Sequence, residues 1–151
     1  MSIIFHNSEF IKEDGLVIKR SNRALNYGDG FFETIKIINA KPFNFSAHYV
    51  RFSFACKVLK LKNNETEKSF FALIKKLIEK NKIINGNAKI HVNRSGDGKY
   101  FPVSDSLEIL ISTNKGSGFA KNTPISLCIF SDEQKTKGKI SNIKSVNALI
   151  S

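Results

Sequence analysis

The hydrophobic period of this chain changes twice, and the order of the changes restricts the folds open to it. Residues 31–38 (Phe-Phe-Glu-Thr-Ile-Lys-Ile-Ile) are β-branched and aromatic, the composition of a strand. From residue 46 the spacing becomes helical, with Val50, Phe54, Ala55, Val58 and Leu61 recurring at three and four residues. A second helical stretch over residues 65–82 places Phe70, Ile74, Leu77 and Ile78 on one face. At Ala88 the pattern returns to alternation, with Ala88, Ile90 and Val92 against Lys89, His91 and Asn93. Residues 107–112 and 125–130 read as two more strands. Strands, two adjacent helices and strands again predict an α+β domain with a small antiparallel sheet.

Finer boundaries follow from turn and cap residues. Residues 3–11 and 16–19 read as strands flanking the turn cluster Lys12-Glu13-Asp14-Gly15. Asn39-Ala40-Lys41-Pro42 breaks the next strand, and Phe43-Asn44-Phe45 reads as its return. Ser46 is the expected N-cap of the first helix, and Asn64 with Glu67 the expected capping box of the second. Asn85-Gly86-Asn87 stops that helix. Thr113-Asn114-Lys115-Gly116-Ser117-Gly118 is the best interdomain linker. The expected division is a small domain over 1–115, a linker over 116–123, and the start of a second domain over 124–151, whose last residues read as opening a helix.

Composition removes several classes. With 151 residues, 41% hydrophobic and 25% charged, the chain has the balance of one globular domain. No apolar run approaches the ~20 residues of a membrane span, and no secretory leader is read at residues 1–7. Cys56 and Cys128 lie far apart with no CxxC, which excludes a disulfide scaffold and a zinc ribbon and fits a reducing cytoplasm. No metal site is read. The net charge of +11 invites a nucleic-acid reading. Yet the basic residues are 20 Lys and 4 Arg, spread along the chain without aromatic interleaving, so a non-catalytic basic module is the weaker alternative and no nucleic-acid partner is expected.

Four short blocks carry chemistry. Tyr27-Gly28-Asp29-Gly30 makes a tight turn into the strand at Phe31, although a plain loop has the same spelling. His48 and Arg51 project from one helical face, where an Arg beside a cleft can hold a phosphate bidentately, although a solvated helix face is the commoner use. Arg94-Ser95-Gly96-Asp97-Gly98-Lys99-Tyr100 is a loop at a strand end. Lys144 stands among Ile143, Val146 and Leu149, and apolar surroundings would make its amine nucleophilic.

Taken in order, Asn22–Ile35, then Ser46-Ala47-His48-Tyr49-Val50-Arg51-Phe52, then Arg94 with its Gly-rich loop, then Asn142-Ile143-Lys144-Ser145-Val146-Asn147, the chain resembles the class IV aminotransferases. These are the fold-type IV pyridoxal phosphate enzymes, which include branched-chain and D-amino acid aminotransferases and 4-amino-4-deoxychorismate lyase. The resemblance implies that Lys144 forms a Schiff base with pyridoxal 5'-phosphate and moves the proton at the substrate α-carbon. It implies that Arg51 holds the cofactor phosphate and that Tyr27 and Phe32 line the substrate pocket. Arg94, Lys99 and Tyr100 would belong to the loop that receives the substrate carboxylate. Relatives often have an Arg where Lys99 stands, which weakens bidentate recognition there. The implied activity is amino transfer between an amino acid and a keto acid by a homodimer; the alternative is the lyase, releasing pyruvate and 4-aminobenzoate. Because the family is about twice this length, the sequence reads as its N-terminal half, with a second, larger, β-barrel-like domain to follow, and as inactive alone.

Overall fold

The protein is described here by a computed structural model covering residues 1–116, 124–128 and 138–146. Six strands, β1 (Ile3–His6), β2 (Glu9–Lys12), β3 (Gly30–Ile38), β4 (Lys41–Pro42), β5 (Gly86–Arg94) and β6 (Leu107–Lys115), form one sheet in the order β2-β1-β6-β5-β3-β4. Every pairing is antiparallel. Helices α2 (Phe45–Val58) and α3 (Glu67–Lys80) connect the halves of the sheet, and a short α1 (Arg23–Tyr27) precedes β3.

The helices cover one face because the strands offer them an apolar one. Phe31, Ile35 and Ile37 of β3, Ala88, Ile90 and Val92 of β5, and Ile109 and Ile111 of β6 are all buried. They pack with Phe52, Ala55 and Cys56 of α2 and Phe70, Ile74, Leu77 and Ile78 of α3. Phe52 is the hinge of this layer, its ring 4.7 Å from that of Phe70 and 5.7 Å from that of Phe31. Each such side chain contributes roughly 1.5–3 kcal/mol by leaving water. The opposite face carries the alternate residues, Phe32 and Thr34 on β3 and Lys89, His91 and Asn93 on β5, all half-buried. No helix of the described residues is long and apolar enough to cross a membrane.

Several local expectations are corrected. The first hairpin turns at Asn7-Ser8, four residues ahead of the Lys12–Gly15 cluster, with Ile3 opposite Lys12 and His6 opposite Glu9. Asn7 takes φ 56° there, and its amide oxygen accepts from the Ile109 N–H, so a contact to β6 outweighs the local turn signal. Residues 13–15 form a 3₁₀ turn, and 16–19 form no strand. Phe45 is the first residue of α2 instead of a strand residue, and the N-cap is Asn44 in the left-handed region at φ 50°. Ser46 donates to Glu67 on the neighbouring helix. The capping box of α3 is Thr66 with Ser69, two residues beyond the expected pair, because Ser69 Oγ accepts from the Thr66 N–H at 3.0 Å and Thr66 Oγ1 from the Ser69 N–H at 3.1 Å. Residues 124–128 form no strand. The remainder of that expected strand, residues 117–123 of the expected linker and the expected final helix lie outside the described residues.

Candidate active site

Residues 143–146 return to the sheet. β4 covers only the far end of one edge of β3, at Ile37 and Ile38, so the backbone at residues 30–32 is free to pair. Ser145 bridges Phe31, the Phe32 N–H donates to the Lys144 carbonyl at 2.8 Å, and the Val146 N–H donates to the Gly30 carbonyl at 3.1 Å. Gly30 is required by its neighbours: a Cβ there would collide with the Val92 carbonyl oxygen. Ile143 plugs into the core beneath the sheet. The next residue therefore faces the side opposite the helices, where Lys144 Nζ lies 5.9 Å from the Phe32 ring centre. In register, Lys144, Phe32, His91, Leu110 and His6 form one row across that face.

Lys144 is exposed, so the apolar enclosure expected for it is not formed by the described residues; only its neighbour Ile143 is buried. Its availability comes from backbone pairing rather than from desolvation. Cys56 is no rival nucleophile, since burial pushes its thiol up to about 12.

One residue along β3, Glu33 faces the helices and is buried. Its Oε1 accepts from Arg51 Nε at 2.9 Å and its Oε2 from Arg51 Nη2 at 2.9 Å. His48 Nδ1 lies 2.8 Å from the same Oε2 and donates to it in the tautomer that carries the proton there. Burial works to raise the Glu33 carboxyl, but hydrogen bonds and charge from Arg51 and His48 hold it below the usual carboxylate range. Glu33 in turn raises Arg51. Arg51 is half-exposed at 51%, and among the described residues its Nη1 has no partner. A planar fork held along one edge by a carboxylate presents its other edge in a fixed direction. That suits an anion.

Arg94 has a different position. Asp29 Oδ2 accepts from Arg23 Nε at 2.8 Å and from Arg94 Nε at 3.0 Å. Arg94 also donates to the carbonyls of Leu59, Lys60 and Ser104, and Arg23 to those of Gly98 and Lys99. Both arginines are buried. Arg94, expected to help receive a carboxylate, directs these bonds to Asp29, to carbonyls after α2 and to the loop after β5. That loop carries Lys99 and Tyr100. The Tyr27 and Tyr100 rings are 6.0 Å apart, and Arg20, Tyr27, Asp97 and Lys99 line a cleft of about 380 Å³. A larger cleft, about 540 Å³ among Pro42, Phe45 and Phe71, is lined by none of the predicted site residues. Arg20 and Lys89 are cations that the sequence reading passed over. Lys89 was legible as an outward position on an alternating strand; Arg20 had no signal beyond being one of four arginines.

The described residues thus offer an exposed primary amine at the edge of β3 and, on its helix-covered face, a guanidinium oriented by Glu33. The sequence pattern of the family described as amino-transferase class IV matches residues 30–151. The D-alanine aminotransferase of Staphylococcus epidermidis is 29% identical over 94 residues, which is 62% of this chain and 33% of that protein. The structure of a branched-chain amino acid aminotransferase from T.th. with pyridoxamine 5'-phosphate is similar at a TM-score of 0.71 and 18% identity, covering 80% of this chain and 42% of that one. The 4-amino-4-deoxychorismate lyase from Pseudomonas aeruginosa is similar at a TM-score of 0.59 and 21% identity, covering 78% and 41%. The chain thus corresponds to less than half the length of each of these three proteins.

Proposed function

Since the chain belongs to the class IV amino-transferase family, we propose that it serves a pyridoxal phosphate-dependent aminotransferase acting on an amino acid and a keto acid. The observation that carries this reading is the pairing of residues 143–146 with β3, which presents Lys144 beside Phe32. Lys144 Nζ would hold the cofactor's aldehyde carbon and Arg51 Nη1 its phosphate. When bound, pyridoxal phosphate supplies an electron sink for negative charge at the substrate α-carbon. Lys144 moves the proton at that carbon. Glu33 and His48 keep Arg51 from swinging into solvent. Phe32 gives the site an apolar wall. Lys99 and Tyr100, held out by the Arg23–Asp29–Arg94 clamp, would receive the substrate carboxylate together with Tyr27.

The working unit is a homodimer in this reading. Its support is the loop apex, where Tyr100, Phe101 and Val103 are 87%, 89% and 75% exposed although their loop is anchored by two buried arginines. Aromatic surface presented on a fixed support suits a second copy. The unpaired Cys56 and Cys128 support a cytoplasmic setting in this reading.

The test is trapping in the full-length gene product. Pyridoxal phosphate is added, borohydride reduces the adduct, and peptide mass locates it. A pyridoxyl group on Lys144 together with keto-acid-dependent amino transfer is the expected result. Pyruvate released from aminodeoxychorismate without an amino acceptor would move the assignment to the lyase. Folded protein with Lys144 unmodified would overturn the reading.

A further inference from the structure

Arg94 lies where the two arms of the proposed site meet. Helix α2, which carries His48 and Arg51, ends in a left-handed residue: Lys60 has φ 54°, and the Leu61 N–H turns back to the Cys56 carbonyl at 2.8 Å. That ending leaves the last carbonyls without a partner inside the helix. Arg94 meets two of them, donating from Nη2 to the Leu59 carbonyl and from Nη1 to that of Lys60 at 3.4 Å. A cation here also suits the negative pole of the helix. From the same guanidinium, Nε donates to Asp29 Oδ2 at 3.0 Å and Nη1 to the Ser104 carbonyl at 3.3 Å. Backbone pairing reinforces the join, since the Lys62 N–H donates to the Asp105 carbonyl at 2.8 Å and Lys62 bridges Ser106. The end of α2, the entry to β3 and the loop that carries Lys99 and Tyr100 are therefore laced together at one buried residue.

Arg51 precedes Leu59 by a little over two turns of α2, about 12 Å of helix axis. Its fork meets both oxygens of Glu33 at 2.9 Å, a fit that a small slide or rotation of α2 would break. At the N-terminus of α2 Asn44 supplies no side-chain cap, so the side-chain hold on the helix backbone is at the Arg94 end. We infer that Arg94 is a positioning residue for the cofactor phosphate: by capping α2 it sets where Arg51 stands relative to the substrate loop. The inference rests on the proposed function, in which Arg51 takes the phosphate and Lys99 with Tyr100 the carboxylate. Arg23 supplies the internal comparison. It shares Asp29 Oδ2 and holds the same loop through the Gly98 and Lys99 carbonyls, yet among the described residues it makes no hydrogen bond to α2. Loss of either arginine loosens the loop, and loss of Arg94 also frees the helix.

Two measurements on the full-length protein decide it. The first needs no cofactor. The Arg51 Nε–H, held by Glu33, gives an NMR signal whose exchange with water reports how well the fork is kept in place. Arg94→Lys retains a charge for Asp29 but has one nitrogen where the guanidinium has three, so the α2 carbonyls lose their donors. Faster exchange at Arg51 is expected in Arg94→Lys, with Arg23→Lys close to wild type. Equal rates in the two variants would overturn the inference. The wild type gives a reading that needs no folded variant. Inorganic phosphate bound at Arg51 is expected to slow amide exchange at Lys62, which closes the join between α2 and the loop, and an unchanged rate there with phosphate bound would overturn the inference.

The second compares pyridoxal phosphate with pyridoxal, which lacks the phosphate, by absorbance titration. Arg94→Lys is expected to raise the dissociation constant for pyridoxal phosphate by about fivefold or more, and that for pyridoxal by less than about twofold. Arg23→Lys should leave both within about twofold of wild type. A purely structural loss would lower the amplitude of the titration, through the folded fraction, without moving either constant. Equal rises for the two ligands, an equal rise in Arg23→Lys, or unmoved constants in Arg94→Lys would overturn the inference. Absence of pyridoxal phosphate binding at Lys144 in the wild type would instead remove the proposed function, and exchange at Arg51 would still decide whether Arg94 sets the place of its fork.

Discussion

Asp29 and Glu33 stand four residues apart on either side of the start of β3, and each gathers two basic side chains. The Asp29 cluster is closed. Its arginines are 3% and 9% exposed at the side chain, and their remaining donors go to five backbone carbonyls of the loops around them. The Glu33 cluster is open. Its carboxylate is as deeply buried as Arg23, yet Arg51 is half in solvent with one edge of the guanidinium unused. The same ion pair is a strut in one place and a ligand platform in the other, and what differs is whether backbone carbonyls or solvent meet the far side of the arginine. The residue type carries no trace of that difference.

The largest effect expected from this contrast is on stability at the closed cluster. Arg94→Ala leaves Asp29 half-compensated and three carbonyls unmet, and should cost about 3–5 kcal/mol in denaturant unfolding, the usual cost of removing one member of a buried pair. Asp29→Asn should come next, at roughly 2–4 kcal/mol, with faster proteolysis within residues 95–104 as the loop loses its clamp. Arg51→Ala should behave in the opposite way. His48 still meets Glu33, so stability falls by only about 1 kcal/mol, while the dissociation constant for pyridoxal phosphate rises by about tenfold or more, read from its absorbance on titration. If Arg51→Ala unfolds the protein as Arg94→Ala does, the distinction between strut and platform is lost.

The smallest effect is in pH dependence. The folded Glu33 carboxyl lies below the unfolded value, so its contribution is present above the unfolded carboxylate range, near pH ~4.3, and is lost as pH falls through the folded value. Glu33→Gln should therefore be less stable than wild type at pH 7, with the gap closing on acidification. A gap of equal size at pH 3 and pH 7 would mean that Glu33 acts through shape rather than charge.

Much of this was legible in the chain, and the misreadings share a cause. Helix α3 and the central strands were readable because each needs only a periodic stripe of apolar residues, and Phe70, Ile74, Leu77 and Ile78 spell one, whereas in α2 the expected Val50 and Phe54 are exposed and Phe52, Ala55 and Cys56 meet the core. The ends were not. Asn7 turns the first hairpin because Ile109, a hundred residues away, bonds to it. Thr66 caps α3 because Ser69 reciprocates, while Glu67, expected to fill that box, turns to Ser46 on the other helix. The four blocks of the site were visible as residues in order, and the fold sets Lys144 beside Phe32 and Arg51 against Glu33. Arg94 is buried against Asp29, a setting its place in a polar stretch did not spell, and Lys89 was passed over as one outward lysine among 20.

By itself the sequence determined the α+β class, an aromatic strand followed by two helices of which the second is amphipathic, and the family, because periodicity and ordered motifs are local properties that the chain carries before it folds. The tertiary structure alone decided which arginine is buried and which is offered, and that Lys144 and Lys89 share one aromatic ring. Those outcomes depend on desolvation and on register between segments separated along the chain, and a charge has no fixed function until the fold has chosen its neighbours.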